Sequence, residues 1–355
     1  MQQQKQVWVI GASGYSGAEL CRLISRHPKL NLQAAFANSP ENAVPFRRLY
    51  PQYEHIGSLE LILWDASWLA QAHAIDIVFL ALPHEASLEL APKLLQQGCI
   101  VVDLSAAFRL IDLNNYPEYY GFSHTHPALI ADRYYALPHM ISVTDAASAT
   151  ENSCIHPLIN PTSTLTESNL LSMPGCYPTA ATLALAPLLA SSYYDACQIP
   201  VVTAVSGVSG AGRKATLNSS FCEVSLRPYA VLEHRHQCEI AQNLGHDVMF
   251  VPQLGNFKRG IVATCAVRVK PGTTKADIQA LYNEAYGDDD SIRLRDTVPQ
   301  VADVEMTPFC DLHISVQGAK VVVIAAIDNL LKGAASQAIE ACNLKFGWAR
   351  MEALQ

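Results

Sequence analysis

One thiol in this chain sits where it could act as a nucleophile. In Met173-Pro174-Gly175-Cys176-Tyr177-Pro178-Thr179-Ala180, Cys176 falls at a Pro-Gly turn directly ahead of a helical run, Thr179 to Leu189. Unpaired backbone N–H groups and the positive end of the helix dipole stabilise a thiolate at such a place, which makes the sulfur nucleophilic. Pro178 suits the first turn of the helix. Of the ten cysteines none forms a CxxC pair, so neither a disulfide framework nor a metal site is expected. Cys21, Cys99, Cys197, Cys222, Cys265 and Cys310 read as buried small hydrophobes.

A second group of residues points to a dinucleotide. Val7 to Ile10 reads as a strand and runs into Gly11-Ala12-Ser13-Gly14-Tyr15-Ser16-Gly17, with a helical pattern from Ala18. A strand, a glycine turn and a helix N-terminus together can hold a pyrophosphate on backbone N–H groups. The spacing is GxxGxxG, and a plain structural turn is the alternative. The next strand, near Leu32 to Phe36, ends in Ala37-Asn38-Ser39, without the carboxylate that would grip a ribose 2′-hydroxyl. That favours NADP, with Ser39 and the Arg47-Arg48 pair facing a 2′-phosphate; Glu41 keeps NAD open.

A reactive cysteine beside a nicotinamide cofactor suggests acyl chemistry in which a thioester is reduced to, or formed from, an aldehyde. Such chemistry needs a proton shuttle. Of 12 histidines, His234 and His236 in Glu233-His234-Arg235-His236-Gln237 open a probable helix, Glu239 to Leu244, and are the candidates. His27, His73, His124, His126, His156 and His246 read as surface residues. Arg109 follows the end of a strand and could clamp a carboxylate or phosphate with its planar fork. Ser206 to Arg213 forms a second glycine-rich turn. Through Ser209, Gly210 and Arg213 it could bring N–H groups to the substrate or cofactor.

The elements that must position these residues change character along the chain. In the first half, apolar runs at Val7 to Ile10, Ile75 to Leu80 and Ile100 to Leu104 alternate with helical segments at Ala18 to Ser25 and Glu85 to Gln96, which predicts a parallel α/β sheet. The second half carries longer strands at Val201 to Val205, Ile261 to Lys270, Leu312 to Gln317 and Lys320 to Ile327. The last two are joined through Gly318-Ala319, a tight hairpin in a mixed or antiparallel sheet. The segment from Asn329 reads as one terminal helix, and 141–168 as a loop or insertion.

The chain has 355 residues, enough for two domains; 50% are apolar and 16% charged, which excludes disorder. With 24 basic and 32 acidic residues the net charge is −8, which gives a nucleic-acid or anionic-membrane partner no electrostatic support. Leu170 to Tyr194 is uncharged, but Pro174, Gly175, Pro178 and Pro187 interrupt it, so no membrane span is expected. The N-terminus has no signal-peptide pattern, and a cytoplasmic location is expected.

GASGYSGAEL, LPHEAS, DLSAAFRL, PGCYPTAA, SGVSGAGRKA, EHRHQCEI, PQLGNFKRGI and DNLLKGAA occur in this order, and over Val7 to about Gly347 the chain resembles the N-acetyl-gamma-glutamyl-phosphate reductase family of arginine biosynthesis. PGCYPTA and HRHxxEI mark that family, whereas the glycine loop and DNLLKGAA are shared with aspartate-semialdehyde dehydrogenases. Two departures stand out, Cys238 where the family has proline and the stretch 141–168. The resemblance implies an α/β Rossmann-type NADP-binding domain (1–175 and 330–355) and an α+β mixed-sheet domain for catalysis and oligomerisation (176–329). It implies Cys176 as nucleophile, His234 as acid/base with His236 the lesser choice, and Arg109, Ser209, Gly210 and Arg213 at the substrate. Gly11, Ser13, Gly14, Tyr15, Ser16, Gly17, Ser39, Pro83, His84, Asn329 and Lys332 would meet NADPH. The implied substrate is N-acetyl-glutamyl phosphate and the implied assembly a homodimer or homotetramer.

Overall fold

The computed structural model describes residues 4–139, 160 and 164–355. The chain divides into two compact units, one of Met1–Ala136, Asn160–Pro174 and Ala334–Gln355, the other of Leu137–Ile159 and Gly175–Gly333. Most of the stretch 141–168, with His156 in it, lies outside the described residues.

The first unit is built on seven strands: β1 (Lys5–Ile10), β2 (Leu30–Ala37), β3 (Leu61–Leu63), β4 (Ile77–Leu80), β5 (Ile100–Asp103), β6 (Tyr134–Tyr135) and β7 (Leu170–Ser172). Their order is β3-β2-β1-β4-β5-β7-β6, and all the pairings are parallel. The order reverses direction at β1, between β2 and β4, the switch point where such sheets bind ligands beyond the strand C-termini. Helices α1 (Tyr15–Ile24) and α2 (His84–Gln96) follow β1 and β4. The four residues of β4 are all buried, as an apolar run in a sheet covered on both faces requires.

The second unit holds β8 (Val201–Ser206), β9 (Arg227–Pro228), β10 (Met249–Leu254), β11 (Ile261–Arg268), β12 (Ile292–Leu294), β13 (Cys310–Gln317) and β14 (Lys320–Ile327) in the order β12-β13-β14-β11-β8-β10-β9. This sheet is mixed: β8 pairs parallel with β10 and antiparallel with β11. β13 and β14 form the hairpin read from the sequence, Gln317 opposite Lys320, with Gly318 at φ +57°. Helices α3 (Cys176–Leu189), α4 (His236–Leu244) and α5 (Lys275–Tyr286) belong to this unit. Alternation along β11, buried at Ile261, Ala263, Cys265 and Val267, turns one face of the sheet toward α3. Helix α3 is buried almost throughout, because its uncharged sequence has no polar face to offer water.

The terminal helix is shorter than its sequence suggests. Helix α6 (Ala335–Lys345) belongs to the first unit, while Asp328 to Gly333 forms a turn in the second. Asp328 makes that turn, its Oδ1 accepting the N–H groups of Leu330 (2.9 Å) and Leu331 (3.1 Å). An Asp that caps nearby N–H groups offers the backbone an alternative to helix. Among the described residues, no helix is long and apolar enough to cross a membrane.

Candidate active site

Helix α3 starts at Cys176 itself, with Gly175 in extended conformation as its cap and no side-chain cap within its own first turn. The thiol is half-buried. Two elements distant in sequence hold this helix start. Glu239, fully buried on α4, accepts the Gly175 N–H at 2.8 Å. From the other direction the Asp328–Gly333 turn approaches so closely that a Cβ on Gly333 would lie 2.8 Å from the Cys176 Cβ and 2.6 Å from the Asn329 carbonyl oxygen. Sequence reading missed Glu239 in any role but helix former, although its place three residues after His236, one turn along the same helix face, was a usable signal.

Both histidines of the pair come to this cluster. Their rings lie 4.8 Å apart, and the Tyr177 ring is 5.7 Å from His234 and 5.8 Å from His236. Tyr229 and Phe250 stand 5.4 Å from His234. The two histidines differ in what they can do. His234 Nδ1 accepts the backbone N–H of His236 at 3.0 Å, a local cap for α4, and burial pushes its pKa down to about 4. Tyr177 donates to the Gln253 carbonyl at 3.0 Å, and burial holds its phenol and that of Tyr229 above the ordinary range. Both tyrosines therefore stay neutral. The backbone leading to the pair is unusual, with Ala230 (φ +42°) and Leu232 (φ +62°) in the left-handed region. Cys238, in the place of the family's proline, sits in the first turn of an intact α4, its Sγ donating to the Arg235 carbonyl at 3.1 Å.

The remaining thiols bear on the contrast drawn from the sequence. Burial pushes the pKa of Cys99 up to about 11 and those of Cys265 and Cys342 up to about 12, and raises Cys21 and Cys310 as well. These are inert. Cys197 and Cys222 are exposed, not buried as expected, because they lie in loops outside either sheet. His27 is buried too, its Nε2 at 2.9 Å from Asn343 Oδ1, where a surface residue was expected; His124 is half-buried and desolvated to about 4.

In the first unit, the β1–α1 turn has the geometry a pyrophosphate needs. Gly11 has φ +93°, a Cβ there would collide with the Ala81 carbonyl, and a Cβ on Gly17 would collide with the Gly11 carbonyl. The turn is thus drawn in as far as backbone allows. Gly14 caps α1 without any side-chain hydrogen bond, so the N–H groups of Tyr15, Ser16 and Gly17 head the helix without a side-chain cap from that residue. Ser13 is buried, its carbonyl bonded by Tyr50 Oη at 2.8 Å. At the end of β2, Ser39 Oγ accepts from Asn42 (2.9 Å), and the Glu41 carboxyl is held below its usual range by its own turn's backbone and by Ser39. Arg47 and Arg48 are exposed. Pro83 caps α2, and His84 Nδ1 accepts the Ala106 N–H at 3.0 Å.

Four of the residues read as substrate or cofactor contacts have other occupations. Arg109 is 6% exposed, with Nε donating to the Met173 carbonyl at 2.7 Å and Nη2 to Leu104 at 2.8 Å, so its fork braces its own loop before it can meet an anion. Ser209 and Asn329 bond each other, and Asn329 Oδ1 also accepts the Gly260 N–H at 2.7 Å. Lys332 is fully buried, its Nζ donating to Ser291 Oγ at 2.9 Å, so its side chain has an interior partner within this unit. In the second glycine turn the N–H groups of Gly207, Val208, Ser209 and Gly210 all donate to carbonyls of this unit. Gly210 and Arg213 are exposed beside it.

Comparison with known proteins fits this arrangement. Residues 6–150 match the family described as semialdehyde dehydrogenase, NAD binding domain, and residues 176–329 match semialdehyde dehydrogenase, dimerisation domain. The fold is that of aspartate-semialdehyde dehydrogenase II from Vibrio cholerae (TM-score 0.68, 16% identity, 98% of this chain and 99% of that one). It is shared with the aspartate-semialdehyde dehydrogenase from Candida albicans (TM-score 0.63, 14% identity, 96% and 98%). These define the class, a semialdehyde dehydrogenase with a dinucleotide-binding domain.

Closer relatives fix the family. N-acetyl-gamma-glutamyl-phosphate reductases from Escherichia coli O157:H7 and Vibrio vulnificus are each 44% identical over 350 residues, and that from Salmonella typhi 45%, covering 98% of either chain in every case. The chain belongs to the N-acetyl-gamma-glutamyl-phosphate reductase family.

Proposed function

We propose that Cys176 is the nucleophile of an NADPH-dependent reductase that converts N-acetyl-L-glutamyl 5-phosphate to N-acetyl-L-glutamate 5-semialdehyde and phosphate, in arginine biosynthesis. The observation that carries this is the start of α3: a half-buried thiol as first helical residue, its cap held by a carboxylate on the helix that opens with His236. The Cys176 sulfur attacks the acyl carbon, and the C–O bond to phosphate breaks to leave a thioester. The N–H groups at the helix start face the oxygen that takes up charge in that attack. NADPH, when bound, supplies the hydride that reduces the thioester carbon. Collapse of the thiohemiacetal breaks the C–S bond, releases the aldehyde and returns the thiolate.

His236 serves as the proton shuttle, in place of the His234 read from the sequence. His234 has its Nδ1 engaged by the His236 N–H and, with burial pushing its pKa down to about 4, stays a neutral structural cap. Asn329 and Ser209 shape the turn next to Cys176, and Arg109 acts as a brace.

The first unit, with Gly11, Ser13, Gly14, Tyr15, Ser16 and Gly17 at its β1–α1 turn, would hold the dinucleotide, with Ser39, Pro83 and His84 bordering it; the closed turn and the uncapped start of α1 support this. A homodimer or homotetramer formed through the second unit is supported by the match of 176–329 to a dimerisation domain. All nine described cysteines are free thiols, which supports a reducing, cytoplasmic location. Loss of acyl-phosphate-dependent NADPH oxidation in Cys176→Ala tests the assignment; turnover at the wild-type rate would refute it.

A further inference from the structure

We propose that Lys332 is a positioning residue for Cys176, holding from its buried side the turn on which the first residue of the cysteine helix rests. This rests on the reading of Cys176 as nucleophile. The Asp328–Gly333 turn is fixed at both ends. At one end Asp328, fully buried, accepts from Leu330, Leu331, the Met306 N–H (2.7 Å) and Arg259 Nε (2.5 Å). At the other, Lys332 points inward and donates to Ser291 Oγ at 2.9 Å.

Behind Ser291 lies a charged cluster. Ser291 Oγ donates to Asp289 Oδ1 at 2.8 Å, and the Ser291 N–H donates to the same oxygen at 2.8 Å. Asp289 Oδ2 lies 2.8 Å from His139 Nδ1, and His139 Nε2 lies 3.4 Å from Ser291 Oγ. The hydroxyl thus relays between the fully buried Lys332 ammonium and the part-buried Asp289 carboxylate. A buried charge that meets its counter-charge through a hydrogen-bonded hydroxyl adds little net stability over well-packed apolar side chains, but it favours one register, because any other leaves the charge uncompensated. Here the register that it favours is the depth of the turn.

That depth bears directly on the thiol. Gly333 follows Lys332, donates its N–H to the Asp328 carbonyl at 2.9 Å, and packs so close to Cys176 that a Cβ on it would come within 2.8 Å of the Cys176 Cβ. A side chain of equal length without charge would fill the volume but would not hold Gly333 at that contact.

The test compares full-length wild type with Lys332→Met, Lys332→Arg and Ser291→Ala. For each, kcat and KM for N-acetyl-glutamyl phosphate, the Kd for NADPH, and the rate of iodoacetamide alkylation read on the Cys176 peptide are measured. Lys332→Met and Ser291→Ala are expected to lower kcat by about 10- to 100-fold, the cost of a misplaced reacting group. Cys176 alkylation changes in parallel, KM and the NADPH Kd hold, and Lys332→Arg recovers part of kcat. A weakened NADPH Kd with unchanged Cys176 alkylation would overturn the proposal in favour of a cofactor contact. Unchanged kcat and alkylation in either folded variant would overturn it outright. Should Lys332→Met fail to fold, Ser291→Ala, which removes only the relaying hydroxyl, carries the same expectations. Failure of the underlying reading would appear elsewhere, as full turnover in Cys176→Ala.

Discussion

The Glu239 carboxylate accepts the Gly175 N–H at 2.8 Å, so the helix that begins with His236 holds the cap of the helix that begins with Cys176. One side chain thereby couples the positions of the proposed nucleophile and the proposed shuttle. Glu239→Ala would leave that N–H without its acceptor, at a cost of about 1–3 kcal/mol. Glu239→Gln keeps a carbonyl oxygen in place. Thermal melts and kcat should therefore fall much further in Glu239→Ala than in Glu239→Gln; equal losses in the two would mean that the charge, not the hydrogen bond, matters.

The two histidines should separate cleanly in kinetics. Removal of a general acid/base lowers turnover by about 10²–10⁴-fold, and His236→Ala is expected to show that loss with little change in KM. His234→Asn retains a side-chain acceptor for the His236 N–H and should keep most of its kcat. The reverse ranking, measured as kcat for both variants at neutral pH, would return the shuttle to His234.

Acid should destabilise the protein through its buried histidines. His234 and His124 both have folded pKa values of about 4, below the ordinary 6.5, because burial disfavours the cation, and His27 is shifted the same way. Between about 6.5 and 4 the unfolded chain binds protons that the folded chain does not, so stability present at neutral pH is lost progressively as pH falls through that window. Tm should drop steadily from pH 7 to pH 5, and less steeply in a His124→Gln variant. A flat Tm over that range would contradict the burial of these rings.

Cofactor choice can be read at the end of β2. No carboxylate of that strand's exit, Ala37-Asn38-Ser39, stands ready for a ribose 2′-hydroxyl. Ser39→Asp places a charge there, and repulsion of a 2′-phosphate should raise the Kd for NADPH by about tenfold or more while NADH binding is spared or improved. Fluorescence titration with both cofactors checks this; an unchanged NADPH Kd would move the 2′-phosphate away from Ser39.

Much of this arrangement was legible along the chain because its signals are local. The glycine turn, the Pro-Gly-Cys helix start and the Gly318 hairpin each declare a backbone geometry within a few residues. Strand β10 hid behind Pro252, which normally argues against an inner strand yet is tolerated here next to the two-residue edge strand β9. What the sequence could not disclose are partners 60 or so positions away, such as Glu239 for Gly175 or Arg259 for Asp328. Burial was equally hard to read along the chain. Lys332 and Arg109 carry the charges of ligand contacts, and only the folded chain reveals that carbonyls and a serine hydroxyl already occupy them.

The central claim is a covalent one, that the acyl group passes through sulfur. Intact-mass and peptide-mass measurements on wild-type protein given N-acetyl-glutamyl phosphate without NADPH test it most directly. An N-acetyl-glutamyl adduct on the Cys176 peptide, released as aldehyde when NADPH is added and absent in Cys176→Ala, is the predicted result. Turnover that proceeds with no adduct on Cys176, or an adduct on another residue that NADPH discharges, would contradict it.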